Sequence, residues 1–166
     1  MNYMQTIRRA ETWGKLLRAG ILAVTAVAGS ALASPTDGVP AQFAHAQLQI
    51  ETARGRRSFD VQVARSDAEQ ELGLMWVRIL PVDQGMIFPM DPPRIASFWM
   101  KNTYIALDLL FLDKNGRIAC IHTGIPLTLD IVTCAEPASG VLEIAGGQAS
   151  AQRIRVGDRV VWANSP

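Results

Sequence analysis

The sequence predicts a mainly β domain: a single antiparallel β-sandwich or barrel, jelly-roll-like, with two short helices. Three observations lead there. From Leu48 onward the apolar residues fall in short segments that alternate with polar residues or run uninterrupted, which is a strand signal rather than a helical one. Turn formers such as Asp113-Lys114-Asn115-Gly116 punctuate these segments. Only two stretches carry helix signals, too few to cover the faces of a parallel sheet.

The chain opens with a different chemistry. Arg8, Arg9, Lys15 and Arg18 precede a stretch of 15 uncharged residues, AGILAVTAVAGSALA, that ends on Ala31-Leu32-Ala33. A basic end, a short apolar segment and small residues before Ser34 form an export signal cleaved after Ala33, and a spanning helix would need roughly 20 apolar residues. The expected organisation is a signal at 1–33, a linker at 34–46 and one β domain at 47–166, with the mature protein periplasmic and free of the membrane. Four of the 16 basic residues but only one of the 15 acidic residues precede Ser34, so the remainder carries a net charge near −2. That balance, with no cluster of Lys and Arg, lacks the footprint of a nucleic-acid binder.

Along the β domain, LQIE (48–51) and SFDVQVA (58–64) alternate cleanly. Ser66-Asp67-Ala68-Glu69 is a capping box, with Gly73 placed to stop the short helix it begins. GMIFPM (85–90), ASFWMKN (96–102), LDLLFLD (107–113), RIACIH (117–122), GVLEI (140–144) and DRVVWA (158–163) are the remaining strand candidates. A weaker helix runs through QASAQRI (148–154). Cys120 and Cys134 either pair across a short loop in an oxidising compartment or stay as separate buried thiols; spacing alone leaves both open.

The stretch from Phe98 to Asp113 is the most core-like in the chain, yet it carries Lys101, Asn102 and Asp108. A hairpin of 96–102 with 107–113 sets Lys101 across from Asp108. It also puts Phe98, Met100, Leu109 and Phe111 on one side and Trp99, Leu110, Leu112 and the Lys101/Asp108 pair on the other. A carboxylate among leucines requires such a partner. The pair then serves either as a structural ion pair or, with Trp99 and Asn102, as the polar floor of a ligand pocket.

Several stretches carry a resemblance. GLMWVRILPVDQGMIFPM, SFWMKNTYIALDLLFLD with KNGRI, and GVLEIAGG with IRVGDRV closely resemble the bacterial and archaeal family called domain of unknown function 192. The resemblance covers about residues 58–162. It implies a small, mainly β and often exported protein, and it lends no reaction. The family's FWMKNT segment followed by LD is matched by Phe98 to Thr103 and by Leu107-Asp108, whereas the segment after His122 departs from the pattern.

The leading functional expectation is an exported noncatalytic binding or accessory domain, with a small polar ligand or an envelope protein meeting Trp99, Lys101, Asn102 and Asp108. No catalytic motif is recognisable and no cofactor is implied. A hydrolase-type enzyme would have to use Asp108 with Lys101, although a salt-bridged aspartate is a poor base at neutral pH. Cuprous-ion binding would draw on Met75, Met86, Met90, Met100, His122 and the two cysteines, soft or borderline ligands that are also common core fillers.

Overall fold

A computed structural model describes residues 43–163; the segment read as an export signal, and most of that read as a linker, lie outside the described residues. The elements are β1 (Ala44–Thr52), β2 (Gly55–Val63), α1 (Asp67–Leu72), β3 (Gln84–Arg94), β4 (Ser97–Phe98), β5 (Leu107–Leu112), β6 (Ile118–Gly124), β7 (Val132–Thr133), β8 (Ala138–Ala145), α2 (Gln148–Ala151) and β9 (Arg159–Trp162). Seven strands form one sheet in the order β6-β5-β8-β3-β2-β1-β9, while β4 and β7 pair separately. β1 starts inside the segment expected to be linker, and its His45 meets Asp60 of β2 at 3.2 Å.

The fold is mainly β and mostly antiparallel, with two short helices, as the sequence implies. The large sheet is nevertheless mixed and is not a closed barrel. β2 and β3 run parallel, from Asp60↔Gln84 to Val63↔Ile87, because the connection between them carries α1 over one face of the sheet. At the outer edges, Arg117, just before β6, meets Arg159 of β9 at an isolated bridge rather than along a ladder.

The capping box forms as its spacing predicts. Ser66 Oγ accepts from the Glu69 amide at 3.3 Å, Glu69 Oε2 accepts from the Ser66 amide at 2.8 Å, and Gly73 closes the helix at φ 48°. Those backbone hydrogen bonds hold the Glu69 carboxyl below its ordinary range.

Strand alternation divides the core into two layers. Leu48, Ile50, Phe59, Val61, Leu110 and Leu142 belong to one, on the concave side with Trp162. Met86, Phe88, Met100, Leu109, Phe111 and Val141 belong to the other, roofed by α1, the turns after it and the β4–β7 pair.

The expected hairpin of 96–102 with 107–113 does not form. Every residue of β5 is buried, and both its edges are occupied: Asp108 pairs with Thr123 of β6, and Leu110 with Leu142 of β8. The 96–102 segment therefore crosses the face of β5 instead of lying beside it. Its strand is reduced to Ser97–Phe98, paired with β7, after which the Thr103 amide donates to the Met100 carbonyl at 3.1 Å and Asn102 takes φ 56°. Asparagine tolerates that left-handed conformation better than most residues, so what looked like a polar interruption of a strand is turn chemistry. Phe98 and Met100 still pack in one layer with Leu109 and Phe111, although through the face and not through a ladder.

Cys120 and Cys134 are joined in a disulfide that ties β6 to the segment after β7, with their Cα atoms 6.4 Å apart. It closes a short loop, so replacing both cysteines with serine is expected to lower stability by about 3 kcal/mol. The drop should appear as a lower denaturant midpoint, with a slope equal to or above the parent's because the released unfolded chain exposes more surface; an unchanged stability would show that the bond contributes nothing to folding.

Candidate functional site

β8 is buried from Ala138 to Ile144, with partners on both edges. Its alternation sends Leu142 and Ile144 to the concave layer, and Val141 and Glu143 to the layer beneath α1. Glu143 lies directly across from Met86 of β3 and Leu109 of β5. Its neighbours on its own face are thus a methionine and a leucine, both fully buried. β3 approaches so closely here that a Cβ at Gly85 would strike the Glu143 carbonyl oxygen.

Above Glu143 the cover is incomplete. A cleft of about 330 Å³ opens between the sheet and its roof. α1 and the turn after it contribute Gln70, Glu71 and Met75, β3 contributes Phe88, Met90 and Arg94, and the 97–103 segment contributes Phe98, Trp99 and Lys101. Gln70 fastens the rim: its Nε2 donates to the carbonyls of Ala64 and Pro89, and its Oε1 accepts from Arg94 Nη2 at 2.8 Å. Opposite, Lys101 Nζ stands 4.9 Å from the Trp99 ring centroid, a cation–π contact that holds both side chains at the mouth.

Glu143 is the floor of this cleft. It is 4% exposed and has no hydrogen bond or ion pair among the described residues. Burial alone pushes its carboxyl up to about 8, so at neutral pH it holds its proton and presents one donor and one acceptor. A buried carboxyl with displaced protonation, facing a cleft, is the candidate functional group of this domain.

The structure separates the residues grouped by the sequence reading. Trp99 and Lys101 line the cleft mouth. Asn102 is engaged below it, its Nδ2 3.7 Å from Met75 Sδ and its carbonyl accepting from the Trp76 amide at 2.8 Å, which locks two turns together. Asp108 faces the opposite layer. It is 2% exposed, and its two oxygens accept from Thr123 Oγ1 at 2.8 Å and from the Ala149 amide of α2 at 2.9 Å.

The expected Lys101/Asp108 pair therefore does not exist, and with it goes the geometry on which a hydrolase using those two groups would rely. The copper reading loses its thiols, since both cysteines are spent in the disulfide. Among the described residues no group of three or more His, Cys, Asp and Glu side chains converges.

Glu143 and Arg94 were not singled out from the sequence. A signal for Glu143 was present: GVLEI places one carboxylate in a strand otherwise apolar on both sides, the same anomaly that drew attention to Asp108. Nothing in the sequence marks Arg94, which reaches the site only because β3 bulges between Pro89 and Arg94.

Together these features define a small β domain with a cleft floored by a buried carboxyl. It belongs to the domain of unknown function 192 family, DUF192, described as Uncharacterized ACR, whose profile matches residues 49–162. Two solved structures are similar. A protein of unknown function from Novosphingobium aromaticivorans DSM 12444 is 36% identical with a TM-score of 0.71, over 78% of this chain and 90% of that one. A Sinorhizobium meliloti 1021 protein, provisionally described as a transcription regulator, is 33% identical with a TM-score of 0.73, over 75% of this chain and 98% of that one. None of the curated proteins compared matches the chain.

The raised Glu143 carboxyl makes a stability prediction. The folded state retains its proton above the unfolded value of 4.5, so the stability this group allows is full below pH 4.5 and is lost as pH rises through about 8. Glu143→Gln removes that dependence. At pH 9 the variant should exceed the parent by roughly 2–4 kcal/mol, with the gap closing toward pH 5. Parallel stability–pH curves for the two proteins would show that Glu143 is not buried as an acid.

Proposed function

We propose that this protein is a noncatalytic binding domain whose cleft between α1 and β8 takes a small polar ligand. The observation that carries this reading is Glu143, a buried carboxyl without a partner among the described residues, at the floor of a cleft lined by both apolar and polar side chains. Leaving such a group unpaired costs folding energy, and a ligand that satisfies it recovers that cost on binding. Trp99 and Lys101 remain in the proposed site as its mouth; Asn102 and Asp108 act in the framework that holds it.

A second reading is favoured by one observation, the displacement of the Glu143 carboxyl to about 8, which suits proton transfer near neutral pH. Of the two hydroxyls that line the cleft, on Ser97 and Thr103, the buried one, Thr103 Oγ1, is committed to the Lys101 carbonyl at 3.2 Å. Binding therefore ranks ahead of catalysis. We also place the mature protein outside the cytoplasm: residues 1–33 have the pattern of an export signal, and a Cys120–Cys134 bridge suits an oxidising compartment. The regulator description of the Sinorhizobium protein gains little support from this chain, whose residues after Ala33 have no basic surplus with which to hold nucleic acid.

The test is a screen of small amines, acids, amides and sugars, followed through the Trp99 indole and the Met75 and Met90 methyl resonances. Hits are expected to move those signals, to be recovered chemically unchanged, and to lose their effect in Glu143→Leu. A screen whose hits all perturb other surfaces, or which yields none, would remove the cleft as a binding site.

A further inference from the structure

The cleft carries opposite charge capacity at its two ends, and neither end is neutralised by the other. At the floor stands the unpartnered Glu143 carboxyl. At the rim Arg94 and Lys101 supply two cations: the first spends one guanidinium nitrogen on Gln70, the second rests against Trp99, and neither forms an ion pair among the described residues. Glu71, exposed on α1, is the one other carboxylate lining the cleft. Between the ends Met75, Phe88, Met90 and Phe98 supply the apolar part of the walls, with Gln70 and Thr103 among them.

Resting on the ligand-binding reading above, we propose that the cleft takes a small amino-acid-type zwitterion, its ammonium directed inward onto Glu143 and its carboxylate outward onto Arg94 and Lys101. An ammonium brings three donors and a positive charge to a carboxyl that has no protein partner. At the mouth the free edge of the Arg94 guanidinium matches a carboxylate in the forked geometry that lysine alone does not provide. A ligand that is only a cation would enter past two like charges, and one that is only an anion would leave the floor unpaired. The volume, about 330 Å³, suits a molecule of amino-acid size.

The proposal has a proton signature. The charged groups facing the cleft are Glu71 from α1, Arg94 from β3, Lys101 from the 99–103 turn and Glu143 from β8, while the in-register neighbours of Glu143, Met86 and Leu109, do not titrate. Glu143 holds a proton at neutral pH in the empty cleft, so an ammonium arriving there displaces it. Affinity then rises with pH, roughly tenfold per unit, until about pH 8.

The probes are L-leucine and 6-aminohexanoate, each compared with its deaminated acid and its decarboxylated amine, by calorimetry across that pH range in buffers of different ionisation enthalpy. At least one zwitterion should bind about tenfold or more tighter than both of its truncated counterparts, releasing one proton. Lys101→Ala and Arg94→Ala should weaken the zwitterion several-fold more than they weaken the amine. Glu143→Gln, checked for its fold by thermal unfolding, should abolish the pH dependence and most of the affinity. Deaminated acids that bind as well as the zwitterions, or affinities that fall as pH rises, would overturn this ligand class. So would the absence of binding by both zwitterions when other molecules occupy the cleft in the screen, a result that leaves the broader binding reading standing. An empty screen would remove both.

Discussion

The carboxyl of Glu143 sits in a strand that has no wet face. β8 is hydrogen-bonded along both edges, to β3 and β5, and is packed on one side by the concave core and on the other by the roof beneath α1. An ionised carboxylate between Met86 and Leu109 would be too costly to hold there without a counter-charge, and none of the described residues pairs with it. Two adjustments follow. The group keeps its proton, and the roof stops short of it, so that this side chain opens into a cleft instead of being sealed. The Gln70 clamp on one rim and the Trp99–Lys101 contact on the other keep that opening from collapsing onto the carboxyl.

Two buried carboxylates, on neighbouring strands and opposite faces, show how burial and function separate. Asp108 has both oxygens satisfied, by a threonine hydroxyl and by a backbone amide of α2, so it joins β5, β6 and α2 into one piece. Removing it would leave a buried amide without its acceptor, a framework defect. Glu143 is buried to a similar degree and joins nothing. Exposure alone does not distinguish them; hydrogen-bond accounting does.

Much of this architecture was legible in the residues. The capping box at Ser66–Glu69, the stop at Gly73, the strand after Asn115-Gly116 and the weaker helix near Gln148 all appear where local chemistry places them. The family was legible as well, because several motifs agree in order. The pairing of strands was not. In Phe98–Asp113 an apolar run with polar residues in its middle reads equally as a hairpin or as a strand preceded by a turn lying across a sheet face, since local pattern carries no information about which edges are already taken. The parallel β2–β3 pair escaped for a related reason: a helix as short as α1 gives no sign that its connection crosses the sheet. The site moved with the pairing. Trp99 and Lys101 line the cleft, Asn102 and Asp108 are bonded within the framework, and the carboxyl at the floor of the proposed site lies in a strand whose single glutamate was not singled out.

The account stands on the protonation of one side chain, and the most direct test is to watch it titrate. In protein labelled with ¹³C at the glutamate side-chain carboxyl, the Glu143 resonance can be followed by NMR across neutral pH in the ligand-free state. The account predicts a midpoint near 8, well apart from the other glutamates. A midpoint near the ordinary value of 4.5 would mean that Glu143 is ionised and solvated, or paired, at neutral pH, and the cleft would lose the buried acid on which its function is argued.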